Sequence, residues 1–323
     1  MAQPPPSAPN DTPSPAKKIG YIGLGNAGYP LASTLAGAGY HLVVRDADIS
    51  RAQKLVDEHP DTSTVAALDD ANAFKDVDVL VTMLPNGSIV RDVLIGPAGV
   101  ASAMRAGSVI IDTSSASPFH TQETAALLQQ ANSGVTLIDS PVTQEYAFTL
   151  AKGDATLMVS CSNPAALELA MPVLKVMGKH VFVMGADHEM KTLNNYTSAA
   201  SIMGLCDALI AGQKFGLDSA KMVDVMNVGT GVNFSTKESF RTDGLTRRFE
   251  SGYQLSLLLK DMKIARTLID EMGPHSALSD LIIESFADAD EIAGPGACHT
   301  QVIEGWEKKA GVMLKQSKEN GTG

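Results

Sequence analysis

The chain has 323 residues, 44% hydrophobic and 19% charged, with a formal net charge of −11. That length suits two domains better than one. The acidity argues against a nucleic-acid or anionic-membrane surface, which needs clustered Lys and Arg, and no apolar run approaches the roughly 20 residues that cross a bilayer. Three cysteines, Cys161, Cys206 and Cys298, stand far apart without a CxxC pair, and seven histidines show no ligand spacing. No metal site is therefore expected, and a reducing compartment, the cytoplasm, is.

Residues 1–17, opening "MAQPPPSAPNDTPSPA", are proline-rich and too poor in apolar residues to fold, which predicts a disordered arm. The first arginine is Arg45, so the arm does not read as a mitochondrial presequence. Over 18–184, short Val- and Ile-rich runs alternate with helical stretches. "IGYIGLG", "HLVVRD", "VDVLVTML", "SVIIDTS", "VTLIDSP", "ATLMVS" and "HVFVMG" read as strands, and "PLASTLAGAG" and "PFHTQETAALLQQA" as helices between them. This alternation predicts an α/β domain with a doubly wound, mostly parallel sheet. The texture changes near 185. "HEMKTLNNYTSAASIMGLCDALIAGQKFG" is one long helical run with Gly216 as its stop, and three more helical stretches with glycine stops follow. Residues 185–316 are expected to form an all-α domain and 317–323 a flexible tail.

"YIGLGNAGYPLASTLAGAG" sets Gly23, Gly25 and Gly28 in GxGxxG spacing, between a strand and a helix. Glycines there permit a tight turn, close approach of backbone to a pyrophosphate, and close helix packing. The anion would sit at the helix N-terminus, against Leu24, Asn26 and Ala27 of the same turn. Asp46 ends the next strand at about the 20-residue interval of the acid that binds adenosine ribose hydroxyls. Its charge would repel a 2′-phosphate, so NAD is preferred. Arg45, whose guanidinium turned outward would reach such a phosphate, leaves NADP open.

In "GADHEMKTLNNY", Asp187 is a candidate N-cap, and Asp187 and Glu189 suit the positive end of a helix dipole. Lys191 then falls near the helix start, a position that disfavours its protonated form. Asn195, four residues on, shares its helix face. Such a lysine can accept a hydroxyl proton while hydride leaves an alcohol carbon; the plainer reading is an exposed lysine.

Four motifs in order resemble the β-hydroxyacid dehydrogenase family, in which 3-hydroxyisobutyrate dehydrogenase is a familiar member. They are "GYIGLGNAGYPLASTLAGAGY", "VTMLPNGSIVRDVLIG", "IDTSSASP" with "IDSPVT", and "KTLNN" with "LLLKDMKIA". The resemblance covers nearly everything after residue 18 and implies a Rossmann-like domain joined by a long interdomain helix to an all-α domain. It further implies Lys191 as general acid/base and Asn195 as the group orienting it and the substrate. Leu84 and Pro85 would form a cofactor loop, with Ser115 beside the nicotinamide ribose and substrate, and Lys260 beside both. Asp261 would support its helix. Thr143 stands where the family has the serine of "DAPVSGG", and Gly231 matches a glycine of a substrate loop.

Gln144 and Glu145 replace the glycines of that same motif. Glycines there would offer backbone N–H groups to a substrate carboxylate, so the lining of this pocket is expected to be altered. The family implies a homodimer or homotetramer through the helical domain. The function expected is hydride transfer between a small 3-hydroxy acid, or its semialdehyde or keto acid, and nicotinamide. Two alternatives are an imine or carbonyl reductase, against which Lys191 argues because related imine reductases carry Asp or Tyr there, and a non-catalytic dinucleotide-binding module, which would not need both Lys191 and Asn195.

Overall fold

The computed structural model describes residues 18–132, 134–143, 153–186, 190–273 and 275–314. The predicted arm and tail, and the substituted positions Gln144 and Glu145, lie outside these residues.

The first half is built on parallel strands β1 (Lys18–Ile22), β2 (His41–Arg45), β3 (Ser63–Val65), β4 (Val79–Thr82), β5 (Val109–Asp112) and β6 (Thr136–Asp139), in the order β3-β2-β1-β4-β5-β6. The sheet continues antiparallel from β6 into β8 (Ala155–Ser160), which also pairs with β7 (Val142–Thr143) and, in parallel, with β9 (Gly178–Gly185). All seven expected strands are present. The short β3 and β7 were not anticipated, because three or two residues carry no periodicity.

Strand periodicity sends alternate side chains to opposite faces. Leu42, Val44, Val79, Val81, Val109 and Ile111 join one core, with Leu31 and Leu35 of α1 (Gly28–Gly37) and Ala170 and Leu174 of α5 (Pro164–Met177). Val43, Leu80 and Ile110 join a second, with Val90 and Leu94 of α3 (Gly87–Ile95) and Leu128 of α4 (Pro118–Ala131). The sheet is thus covered on both faces, as double winding requires. Each buried Leu or Val is worth about 1.5–3 kcal/mol, whereas an exposed ion pair contributes about 0–1 kcal/mol. Packing against the sheet, not surface charge, holds this half together.

The second half is helical. α6 (Lys191–Phe215) is followed by α7 (Ser219–Val228), a π-helical stretch (Ser235–Gly244), α8 (Leu255–Met272), α9 (Ala277–Ala293) and α10 (Ile303–Ala310). Cys206, Leu209, Phe240, Leu258, Met262 and Phe286 lie in its core. Gly216, at φ 102°, closes α6 in the left-handed conformation that favours glycine. The start of α6 differs from expectation. Met190 occupies the N-cap position with no side-chain cap, and Lys191 is the first helical residue. The N-cap position thus falls at Met190 instead of the expected Asp187, and no side chain caps it there; Asp187 and Glu189 themselves lie outside the described residues.

Candidate active site

Strand order reverses at β1, from which the chain runs outward through β2 and β3 on one side and then returns to β4 on the other. In an open α/β sheet the crevice beyond the strand ends at such a switch point is where ligands bind. Gly23 follows β1 with φ +99°, and a side chain there would begin 2.2 Å from the Met83 carbonyl oxygen. A Cβ on Gly28 would fall 2.0 Å from the Gly23 carbonyl oxygen. These two glycines are required by the turn itself. Gly25 is different: the nearest atom to a Cβ there is Arg51 Nη1 at 3.8 Å, so its backbone faces open space. That space, at the start of α1, fits a pyrophosphate approaching backbone N–H groups.

Asp46 stands at the end of β2. Its Oδ2 accepts the Leu24 amide at 2.5 Å and its Oδ1 accepts the Asp48 amide at 2.8 Å, which pins the carboxylate beside the glycine turn. Leu24 therefore acts through its backbone, its side chain being 2% exposed within the core. Arg45 borders the same cleft but is 4% exposed: its Nη1 donates to the Leu68 carbonyl at 3.0 Å, and the guanidinium stacks 5.0 Å from the Phe74 ring centroid. The cation near the glycines is Arg51 of α2 (Ile49–Glu58), which also pairs with Asp48 at 3.5 Å. Sequence reasoning missed Arg51. Its only signal was a place in the first turn of the helix after Asp46.

The turn after β4 is held from β5. Leu84 donates its amide to Ser114 Oγ at 2.8 Å, and Asn86 caps α3 by accepting the Ile89 amide at 3.0 Å. Pro85 sits between these two anchors. Burial raises the Asp112 carboxyl above its ordinary range, against hydrogen bonds from Ser114 and Thr82 that lower it.

A cleft of about 1940 Å³ joins these features to the helical half. Gly23, Gly25, Asn26, Ala27, Gly28 and Asp46 line its first part, and Leu84, Pro85 and Ser115 continue it. Thr143, Lys191, Asn195 and Lys260 line it toward the helices. Gly231 is not among the lining residues. Its carbonyl accepts from Asn233 Nδ2 at 3.0 Å, and it is Asn233 and Phe234 that reach the cleft. The loop bends so that the residues after the glycine, rather than the glycine, face inward.

Lys191 and Asn195 reach the cleft from successive turns of α6, as i, i+4 spacing dictates. Asn195 is 6% exposed and its Nδ2 donates to Asp261 Oδ2 at 2.7 Å. The Tyr253 hydroxyl donates to the same oxygen at 2.9 Å. Lys260 lies 3.3 Å from Asp261 Oδ1 and donates to the Ser115 carbonyl oxygen at 2.7 Å. This last bond ties the helical half to the sheet-bearing half at the cleft. Burial, then the Asp261 carboxylate, push the Tyr253 phenol well above its ordinary value, so it remains a donor. His299 lines the same wall, with Nδ1 2.8 Å from Ser251 Oγ. Burial lowers it from 6.5 to about 4, against the raising effect of Asp243. Neither Tyr253 nor His299 carries a motif, and only the folded chain brings them to the site.

A glycine turn with its acid at a sheet switch point, opening onto a Lys/Asn pair on a long helix, defines a dinucleotide-dependent oxidoreductase. A family profile described as the NAD binding domain of 6-phosphogluconate dehydrogenase matches residues 18–185. Another, described as NAD-binding of NADP-dependent 3-hydroxyisobutyrate dehydrogenase, matches residues 185–306. The 2-(hydroxymethyl)glutarate dehydrogenase of Eubacterium barkeri is 30% identical over 92% of this chain and 97% of its own. The 3-sulfolactaldehyde reductase of Escherichia coli is 30% identical over 86% of this chain and 91% of its own. Among solved structures, Mycobacterium tuberculosis 3-hydroxyisobutyrate dehydrogenase with L-serine superposes with a TM-score of 0.77. It is 25% identical and covers 90% of this chain and 98% of its own. The chain belongs to the β-hydroxyacid dehydrogenase family. It is an NAD(P)-dependent oxidoreductase acting between hydroxy acids and their carbonyl counterparts.

Proposed function

We propose that the enzyme oxidises a small 3-hydroxy acid, or reduces its semialdehyde or keto acid, with Lys191 as general acid/base and Asn195 beside it. The observation that carries this reading is the placement of Lys191 and Asn195 on one helix face, in the same cleft as the glycine turn. A bound nicotinamide would supply the hydride acceptor. In the oxidation direction Lys191 Nζ takes the hydroxyl proton as the C–H electron pair leaves the carbinol carbon, and in reduction it returns that proton to the carbonyl oxygen. Pro85, Ser115 and Lys260 border the space for nicotinamide and its ribose, and Thr143 offers a hydroxyl donor toward a substrate carboxylate.

NAD is the preferred cofactor in this reading. The fixed Asp46 carboxylate supports it, and so does Arg45, which is turned to Leu68 and Phe74 rather than to the ribose. Arg51 is the cation available to phosphates there. The chain divides into a Rossmann domain over 18–184 and a helical domain over 185–316. The helical domain is read as the oligomer surface, and its exposed Phe215 and Val228 support that; sedimentation as a monomer would overturn it. Among the described residues no helix is long and apolar enough to cross a membrane. A cytoplasmic location is proposed separately, on three cysteines that stand far apart without a CxxC pair.

The test is NADH absorbance with a panel of 3-hydroxy acids, including 3-hydroxyisobutyrate, 2-(hydroxymethyl)glutarate and L-serine. Turnover is expected in wild type and is reduced roughly 10²–10⁴-fold in Lys191→Ala. Undiminished turnover in that variant rules out Lys191 as the base. Because Gln144 and Glu145 replace the glycines of the family's substrate motif, 3-hydroxyisobutyrate is expected to be a poor member of the panel. A kcat/KM for it above all the others refutes that part.

A further inference from the structure

Asn195 carries a carbonyl oxygen and an amino group on the same amide, and which of them meets the substrate decides what it can recognise. The neighbours behind it settle the matter. Asp261 accepts at 2.7 Å, and a carboxylate facing the Lys260 ammonium at 3.3 Å has no proton to give. Asn195 must therefore turn its Nδ2 toward Asp261. The second hydrogen on Nδ2 is directed at the Tyr253 oxygen, 3.3 Å away, whose own proton goes to Asp261 Oδ2 at 2.9 Å. Tyr253 thus accepts from Asn195 while donating to Asp261, and the three groups close a ring of hydrogen bonds.

We propose that Tyr253 is a positioning residue which, together with Asp261, occupies both amide hydrogens of Asn195 and leaves only its Oδ1 to face the reacting group. This rests on the reading that the reacting group lies at Lys191 and Asn195. An acceptor there receives a hydrogen bond from the substrate hydroxyl or from the Lys191 ammonium, and it repels a carboxylate. The substrate is thereby oriented hydroxyl-first toward α6, with its carboxylate held by donors elsewhere in the cleft. Asn194 Nδ2 donates to this Oδ1 at 3.3 Å, which takes one of its two lone pairs and leaves the other for the reacting group.

The loop that delivers Tyr253 is built to hold it still. Arg247 and Phe249 sit at φ 60° and 55°, a region costly for residues other than glycine. The cost is met by Arg247 donating to Glu307 at 2.8 Å and Glu304 at 3.3 Å, and by the Glu250 amide donating to Asp243 at 2.7 Å. The Tyr253 ring then packs at a tilt on His299, centroids 5.7 Å apart. A phenylalanine at 253 would keep this packing and lose only the hydroxyl.

The experiment compares wild type with Tyr253→Phe and Asp261→Asn in two readouts. In the first, side-chain amide exchange is followed by NMR on deuterated, 15N-asparagine-labelled protein, with an Asn195→Ser variant to assign the resonance. Both Asn195 amide protons are expected to exchange slowly in wild type, and one to become fast in Tyr253→Phe. In the second, Tyr253→Phe lowers kcat roughly ten-fold, the equivalent of one lost hydrogen bond. KM for the hydroxy acid stays within about two-fold, since positioning acts on the transition state more than on ground-state binding. Asp261→Asn, which lets the amide flip, costs roughly 10²-fold in kcat. Fast exchange of both protons in wild type, or an unchanged kcat in Tyr253→Phe, overturns the proposal. If wild type turns over no hydroxy acid, the functional reading fails by itself, and the exchange result alone still decides the role of Tyr253.

Discussion

At the scale of single residues, the site works by holding charged and polar groups in fixed orientations. Asp46 is bonded by two backbone amides, which fixes its carboxylate beside the glycine turn. Asp46→Ala is expected to raise NADP use relative to NAD roughly ten-fold or more, the scale of one hydrogen bond to a charged group. An unchanged ratio of kcat/KM values for the two cofactors refutes the ribose assignment. His299 gives a prediction in pH. Burial holds it at about 4 against an ordinary 6.5, so the unfolded chain binds more protons between those values than the folded one. Its contribution to stability is complete above 6.5, declines as pH falls toward 4, and stays lost below. Thermal unfolding of His299→Asn is expected to fall less steeply than wild type over that window. Parallel profiles contradict the assignment. The residues with motif-level signals, Lys191 and Asn195, were legible in the sequence because they sit one helical turn apart. Tyr253, His299 and Arg51 were not, since nothing local distinguishes a tyrosine, histidine or arginine that reaches a cleft from one that does not.

At the scale of elements, the turn between β1 and α1 separates two uses of glycine. Gly28 and Gly23 are demanded by contact with neighbouring backbone, whereas Gly25 faces open space. Gly28→Ala is expected to lower the Tm by several degrees, because a Cβ would overlap a carbonyl oxygen and the turn must shift. Gly25→Val is expected to leave the Tm close to wild type and to weaken NADH binding more than ten-fold, since its side chain fills the space a pyrophosphate needs. Fluorescence titration and calorimetry on both variants check the contrast, and equal losses of Tm contradict it. The GxGxxG spacing marked the turn, but it did not separate the glycines that build the turn from the one that faces open space. The start of α6 shows a similar limit. Its periodicity announced the long helix and Gly216 its end, but the sequence put the cap at Asp187, and only the backbone placed the first helical residue at Lys191.

At the scale of the whole molecule, the cleft exists because two separately packed halves meet at Ser115 and Lys260. Lys260→Met keeps the aliphatic stem but removes the donor to the Ser115 carbonyl oxygen. It is expected to raise the Kd for NADH roughly ten-fold with the circular dichroism spectrum unchanged. Wild-type affinity in that variant would remove Lys260 from the cofactor site. By itself the sequence determined the alternating strands and helices, the switch to helices near 185, the glycine turn with its acid, and the Lys191/Asn195 pair. Each of these is written in local spacing, period 2 for strands and 3.6 for helices, which short stretches of chain can encode. Only the tertiary structure decided which way Arg45 turns, that Asn233 and Phe234 rather than Gly231 reach the cleft, and that Tyr253 and Asp261 orient Asn195. Those facts depend on contacts between residues tens of positions apart, and no local pattern specifies which of the many polar side chains will meet when the two halves close on one another.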